Sequence, residues 1–212
     1  MTAAIGSTHP PLSAPFTPAF PVRSLQDVER LETVPLAQAL PVQSTYEIFR
    51  NSAHAFGEKT ALSFLPTADP ADEPVRWSYA QLLAGIHQTA NLLHSLGVRP
   101  EDAVAVLLPG CLEYHLALWG GEAAGIVQPL NPLLTPEKLA SMLSLAGAKV
   151  LIAYGEDGDS GFWTKAMGLR SAVPSLHTVL RVAPHGEAPG AAGSLPDGVI
   201  DFARRSAQPD DR

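Results

Sequence analysis

The spacing of hydrophobic positions changes along the chain, and each change marks a different kind of element. Up to Pro21 there is no period. Pro10, Pro11, Pro15, Pro18 and Pro21 remove backbone donors and disfavour the helical basin before each of them, which predicts an extended or disordered arm. Ser24 with Asp27 then reads as a capping pattern for a short helix through "LQDVERLE", and Pro35 and Pro41 break the segment after it. Ser44 with Glu47 reads as a capping box, after which Ile48, Phe49, Ala53 and Phe56 make one helical face that stops at Gly57. Two short strand-like runs, Thr60 to Leu65 and Val75 to Trp77, flank the acidic, Pro-rich loop 66–74 and predict a hairpin. A second capping box, Ser78 with Gln81, opens a helix carrying Leu82, Ile86, Ala90 and Leu93, with Gly97 as its left-handed stop.

Beyond Gly97 the pattern becomes regular. "AVAVLL" (Ala103 to Leu108) is a continuous apolar run, followed by a helix over about Leu112 to Ala124 and the strand "IVQPL". Thr135 and Pro136, as cap and first helical residue, start a helix that ends at Gly147, and "KVLIAY" is the next strand. A helix over about Phe162 to Val173 leads past Pro174 to "HTVLRV". Strands apolar on both faces that alternate with helices predict an α/β fold: a mostly parallel sheet flanked by helices, with the short hairpin near its start. The segment from Ala183 to Gly198 reads as a loop or linker, and "VIDFARRSA" as one last short helix. The expected division is a Pro-rich arm with short helices over 1–43, an α/β subdomain over 44–182, and a linker with a terminal helix over 183–212.

Composition narrows the class. An apolar fraction of 46% supports a folded core, while 17% charged residues is low for a surface wholly open to water, so part of it is expected to be covered by something else. The net charge of −7 weighs against nucleic acid or an anionic membrane as partner. The N-terminus has neither a basic start nor an uninterrupted apolar run, and Pro109, Glu113, His115, Glu122 and Pro129 interrupt the most hydrophobic region. No signal peptide or transmembrane segment is therefore expected. Cys111 is the only cysteine, which excludes an internal disulfide and fits a cytoplasmic location.

An open parallel sheet places its ligand crevice beyond the carboxyl ends of the strands. The loops there carry no dinucleotide fingerprint and no phosphate-binding GxxxxGK[ST]. "GEDGDSG" (Gly155 to Gly161) has an acidic cluster but lacks the further oxygen ligands and distal Glu of a calcium loop, and reads as a solvated turn. Cys111 and His115, four apart at a helix start, fit either a nucleophile with its base or a small buried thiol near a packed histidine. The second is favoured because no third, orienting group is identifiable. His87 and His94, seven apart, are two ligands without a third and are expected on the surface. Trp119 fits a pocket wall or, by its helical spacing, the core.

"WSYAQL" (Trp77 to Leu82), followed by "VAVLLPGCLEYHLALWGGEAAGIVQPLNPLLTPEKLASMLSLAGAKVLI" (Val104 to Ile152), resembles the N-terminal part of the adenylate-forming, or AMP-binding, enzymes, and among them the bacterial acyl-CoA synthetases. The matching positions are Trp77, Ser78 and Tyr79 where the family opens a helix, then Gly125, Pro129, Asn131 and Pro132 in its Ala-Gly turn and Pro-Leu-Asn-Pro strand end. Asn131 is similar to the acyl-CoA synthetase branch, where the peptide-synthetase branch tends to have Asp. Gly110 departs from the Asn that the family often places after the Pro. The resemblance runs from about Ser44 to about Val182.

The resemblance implies a two-step ligase. A carboxylate attacks the α-phosphate of ATP to give an acyl-adenylate and pyrophosphate, and the CoA thiol then displaces AMP. Mg²⁺ and fixed positive charge would stabilise the transferring phosphoryl group. The substrate would be a fatty or other carboxylic acid, and the partners the remaining subdomains, in the same chain or a separate one. The family's phosphate loop, adenine-side segment, ribose-binding Asp and C-terminal lysine all lie downstream of the matching region. No catalytic, cofactor-binding or metal-ligating residue is thus expected here, and none of ATP, Mg²⁺ or CoA is expected to bind this chain alone.

Overall fold

The structure, a computed structural model, describes residues 20–39, 42–67, 69, 71–187 and 193–209. Most of the expected proline-rich arm lies outside these residues. Helix α1 (Leu25–Glu32) begins at a complete capping box: the Asp27 amide donates to Ser24 Oγ, and Asp27 Oδ2 accepts from the Ser24 amide at 2.9 Å. A single turn, α2 (Leu36–Ala39), comes next. Helix α3 (Thr45–Phe56) has only half of the expected box. Ser44 Oγ accepts from the Glu47 amide, but the Glu47 carboxylate takes the amide of Gln43 (2.7 Å), one residue before the cap.

The hairpin is present as β1 (Thr60–Phe64) and β2 (Val75–Ser78), antiparallel and irregular between Thr60 and Leu62. It leads directly into α4 (Tyr79–Ser95), whose capping box is complete, and Gly97 takes the left-handed conformation just after it (φ 83°).

The main sheet has five strands, all parallel: β3 (Ala103–Leu107), β4 (Ile126–Pro129), β5 (Val150–Tyr154), β6 (Thr178–Val182) and β7 (Val199–Asp201), in the order β4-β3-β5-β6-β7. They alternate with α5 (Leu112–Ala124), α6 (Pro136–Ala146) and α7 (Phe162–Ala172). The expectation of one short helix over 199–207 is corrected. Val199–Asp201 adds a strand beside β6, and Phe202–Ala207 forms a 3₁₀ turn started by Asp201 Oδ1, which accepts from the Ala203 amide. Three residues were too few for their apolar pattern to separate strand from helix.

The strands read as continuous apolar runs because each face has its own core. Val104, Val106, Val150, Ile152, Leu180 and Val182 pack with Leu82, Ile86 and Leu93 of α4, Leu116 of α5, and Phe202. Ala103, Ala105, Leu107, Leu151, Ala153 and Val179 pack with Leu139 and Leu143 of α6 and Leu169 of α7. Successive residues point to opposite faces, and each face meets its own helical layer, so both residues of a pair are generally apolar, with the buried Arg181 of β6 as the exception.

The order of the strands creates a reversal. From β3 the chain leaves through α5 to β4 on one side, and from β5 it leaves through α7 to β6 on the other. The neighbours β3 and β5 therefore send their connections in opposite directions, which leaves a gap above their carboxyl ends.

Candidate functional site

A crevice of ≈ 640 Å³ lies at that reversal. Its floor is Pro109 to Glu113, the turn from β3 into α5, and Tyr154 at the end of β5. One wall is the hairpin, through Phe64 and Trp77, and the other is the loop after β6, Ala183 to Glu187. Rings meet across it edge to face: Phe64 with His185 at 5.9 Å between centroids, and Tyr154 with Phe162 at 6.0 Å.

The loop wall is fastened by Arg181. Buried near the end of β6, Arg181 makes a bidentate pair with Glu187, Nη1 to Oε1 at 2.8 Å and Nη2 to Oε2 at 2.6 Å. This hydrogen-bonded cation holds the Glu187 carboxyl below its usual range. Gly155 makes room for it, because a Cβ there would lie 2.4 Å from Arg181 Nε. Among the described residues the crevice lining contains no lysine or arginine, and Arg181 behind it is taken up by Glu187.

Cys111 is the N-cap of α5 and makes no side-chain cap. Of the two readings of Cys111, the geometry fits the small buried thiol. Burial pushes the thiol up to about 11 and the Glu113 charge pushes the same way, outweighing the amides of the first turn. Burial lowers the pKa of His115, whose ring stands edge-on to Tyr114 at 6.2 Å. At neutral pH the thiol keeps its proton, so the arrangement is a half-buried thiol and a packed imidazole rather than an activated nucleophile.

His87 is also corrected: it is buried, and its Nε2 is hydrogen-bonded to the Tyr46 hydroxyl at 3.0 Å, tying α3 to α4. His94 is exposed, with Nδ1 3.1 Å from the Val98 carbonyl. Trp119 fits both of its readings, packing on Phe49 at 4.9 Å against the core and lining a hollow of ≈ 260 Å³ with Tyr46 and Glu122. In the turn 155–161, Asp157 accepts from the Thr164 amide (2.6 Å) and hydroxyl (2.9 Å) and so serves the start of α7.

A family model described as AMP-binding enzyme matches residues 49–211, well over half of the chain. The chain belongs to the AMP-binding enzyme family. Among relatives of this chain, a marinolic acid–CoA ligase of a Pseudoalteromonas species is 28% identical over 173 residues, 79% of this chain and 26% of that protein. A crotonobetaine/carnitine–CoA ligase of Salmonella paratyphi A is 35% identical over 116 residues, 54% of this chain and 22% of that protein. The chain thus spans about a quarter of the length of these relatives. Among solved structures, an anthranilate CoA ligase in complex with anthranoyl-AMP superposes with a TM-score of 0.63 at 22% identity, over 84% of this chain and 30% of the other. The acetoacetyl-CoA synthetase of Streptomyces lividans gives 0.63 at 23% identity, over 77% and 25%. These two share its fold.

The motif positions of the chain fall in two places. Trp77 lines the crevice, Ser78 caps α4, and the Tyr79 ring lies 5.9 Å from that of Phe56. Gly125 precedes β4, Pro129 ends it and Asn131 and Pro132 follow it, at one edge of the sheet. A Cβ on Gly125 would lie 2.6 Å from the Asp102 carbonyl, Asn131 Oδ1 accepts from the Leu133 amide (2.9 Å), and the Pro132 carbonyl accepts from Lys165 Nζ. Tyr154, Phe64, His185 and the Arg181–Glu187 pair were missed in the sequence. One signal was available, since Arg181 is a charge inside the apolar run "TVLRV".

Proposed function

We propose that this chain is the N-terminal part of an ATP-dependent acyl-CoA synthetase, in which a carboxylic acid, ATP and CoA yield acyl-CoA, AMP and pyrophosphate, and that alone it makes no acyl-adenylate. The observation that carries the reading is the family match, joined to a crevice with the wrong chemistry for a triphosphate. Among the described residues its lining offers the Glu113 and Glu187 carboxylates and aromatic rings but no lysine or arginine, so no cationic side chain opposes the charge of ATP. ATP, Mg²⁺ and CoA would then be held by residues outside this chain. A cytoplasmic location is consistent with the single cysteine, and among the described residues no helix is long and apolar enough to cross a membrane.

The test is ATP–pyrophosphate exchange by the purified 212-residue protein with a panel of fatty and aromatic acids. No exchange above the enzyme-free blank is expected, and acid-dependent exchange would overturn the claim. One feature favours a second reading, a module that completes a separate ligase polypeptide. Ile126 on the edge strand, Leu133 after it, and Met142 and Leu145 on α6 are exposed, Leu145 at 92%. Recovery, from source cells, of a ligase lacking its own N-terminal part in complex with this chain would favour that reading.

A further inference from the structure

On the other side of Trp77 from the crevice lies a smaller pocket, between the first turns of α4 and the turn Phe202–Ala207. It has a volume of ≈ 190 Å³, walls of Trp77, Ala84 and Leu116, the amides of Gln81 and Gln88, and the side chain of Arg205.

Arg205 is poorly satisfied. Its Nε is shut off from solvent with no hydrogen-bond partner, and its Nη1 makes one long bond, 3.4 Å, to the Phe202 carbonyl. The guanidinium stands over the Phe202 ring at 4.8 Å. Glu113 and Asp201 act on it through space, yet among the described residues the ion pairs are Lys149–Asp102 and Arg181–Glu187. Burial lowers the Arg205 pKa and these two acids only partly offset it, as for a partly buried cation with no ion-pair partner among the described residues. The guanidinium is held beside a cavity whose lining, among the described residues, contains no carboxylate. Withdrawing such a group from water is costly unless an anion completes it.

We propose that this pocket binds a carboxylate, the anionic end of a short aliphatic or single-ring acid, on Arg205. The Nη1 and Nη2 groups of the guanidinium, rather than the enclosed Nε, match the two oxygens, the amides of Gln81 and Gln88 supply further donors, and the Trp77 and Leu116 side chains receive the apolar body. The Gln81 Oε1 is already engaged by the Ser78 amide (2.9 Å), which leaves its NH₂ group to donate. The volume excludes a long acyl chain. The proposal stands apart from the ligase reading, because a chain that forms no adenylate still binds the acid.

The test is a titration of the ¹⁵N-labelled 212-residue protein with sodium benzoate and sodium propionate, following the Arg205 Nε–H and Trp77 indole N–H signals by NMR. Saturable shifts of both are expected. Arg205→Met should weaken benzoate binding by about tenfold or more, the loss expected when a charged hydrogen-bond partner is removed. Gln88→Leu should weaken it less, and Arg204→Met should leave it unchanged. If Arg205→Met does not fold, Gln88→Leu and the wild-type signals decide. Absence of saturation, or equal binding by Arg205→Met, overturns the proposal. Equal shifts with inorganic phosphate overturn the carboxylate class. Tighter binding of a glutamate-containing tripeptide than of either free acid overturns the small-acid assignment in favour of a side chain from a partner polypeptide.

Discussion

The position of the α5 N-terminus, which forms the crevice floor, depends on how closely α4 and α5 approach, and Gly120 controls that approach. A Cβ at Gly120 would lie 2.5 Å from Thr89 Cβ, 2.7 Å from Thr89 Cγ2 and 3.0 Å from the Ile86 carbonyl. Neither neighbour can yield easily. Thr89 is fully buried, its hydroxyl donates to the Gly85 carbonyl at 2.8 Å, and the Ile86 oxygen belongs to the α4 backbone. Overpacking a filled interior costs about 1–3 kcal/mol, and helix propensity returns only about 1 kcal/mol to alanine and less to valine. Gly120→Ala should therefore be modestly destabilising, and Gly120→Val should cost about 3 kcal/mol, lowering Tm by about 6–12 °C in a chain of this size. Gly168 is the internal control. It lies on the exposed side of α7, and a Cβ there would meet nothing within 4 Å, so Gly168→Ala should stabilise by about 0.5–1 kcal/mol. Thr89→Ser removes the methyl at 2.7 Å while keeping the hydroxyl, so it should recover part of the loss in the Gly120→Ala background. Urea unfolding followed by far-ultraviolet circular dichroism measures all four. A Gly120→Val protein that unfolds at the wild-type urea concentration, with an unchanged slope, would refute the close-packed seam.

Two other expected outcomes concern titrating groups. Cys111, held near 11, should react with iodoacetamide slowly at pH 7 and ever faster up to pH 10, and a rate that levels off near pH 8 would contradict the burial argument. Asp102 accepts from Lys149 Nζ at 2.8 Å, and that contact lowers its pKa in the folded chain. A depressed carboxyl contributes stability above its unfolded pKa of about 3.9 and loses it as pH falls through the folded value. Lys149→Met should therefore flatten the fall of Tm below about pH 4, and an unaltered acid limb would rule out this contribution.

The sequence by itself determined the layers and most of the punctuation. The runs at β3 and β5 are apolar at every position buried against one of two helical layers, and β6 departs from this only at the buried Arg181, so their composition already implied a sheet covered on both sides. The boxes at Ser24 and Ser78, the left-handed Gly147 at the end of α6 and the glycine after α4 are local devices, encoded within a few residues and legible for that reason. Family membership was legible too, because the order and spacing of its motifs lie along the chain.

Tertiary structure decided what depends on residues distant in sequence. The Glu47 carboxylate chose the Gln43 amide over the expected one, and Val199–Asp201 became a strand because β6 offered an edge to pair with. His87 is buried because α3 lies across α4 and supplies the Tyr46 hydroxyl. Cys111 stands at the start of α5, and there withdrawal from water outweighs the amides of the first turn and keeps the thiol protonated. The crevice, the Arg181–Glu187 clasp and the poorly satisfied Arg205 each join elements that only the strand order brings together, and spacing along the chain carries no record of that order.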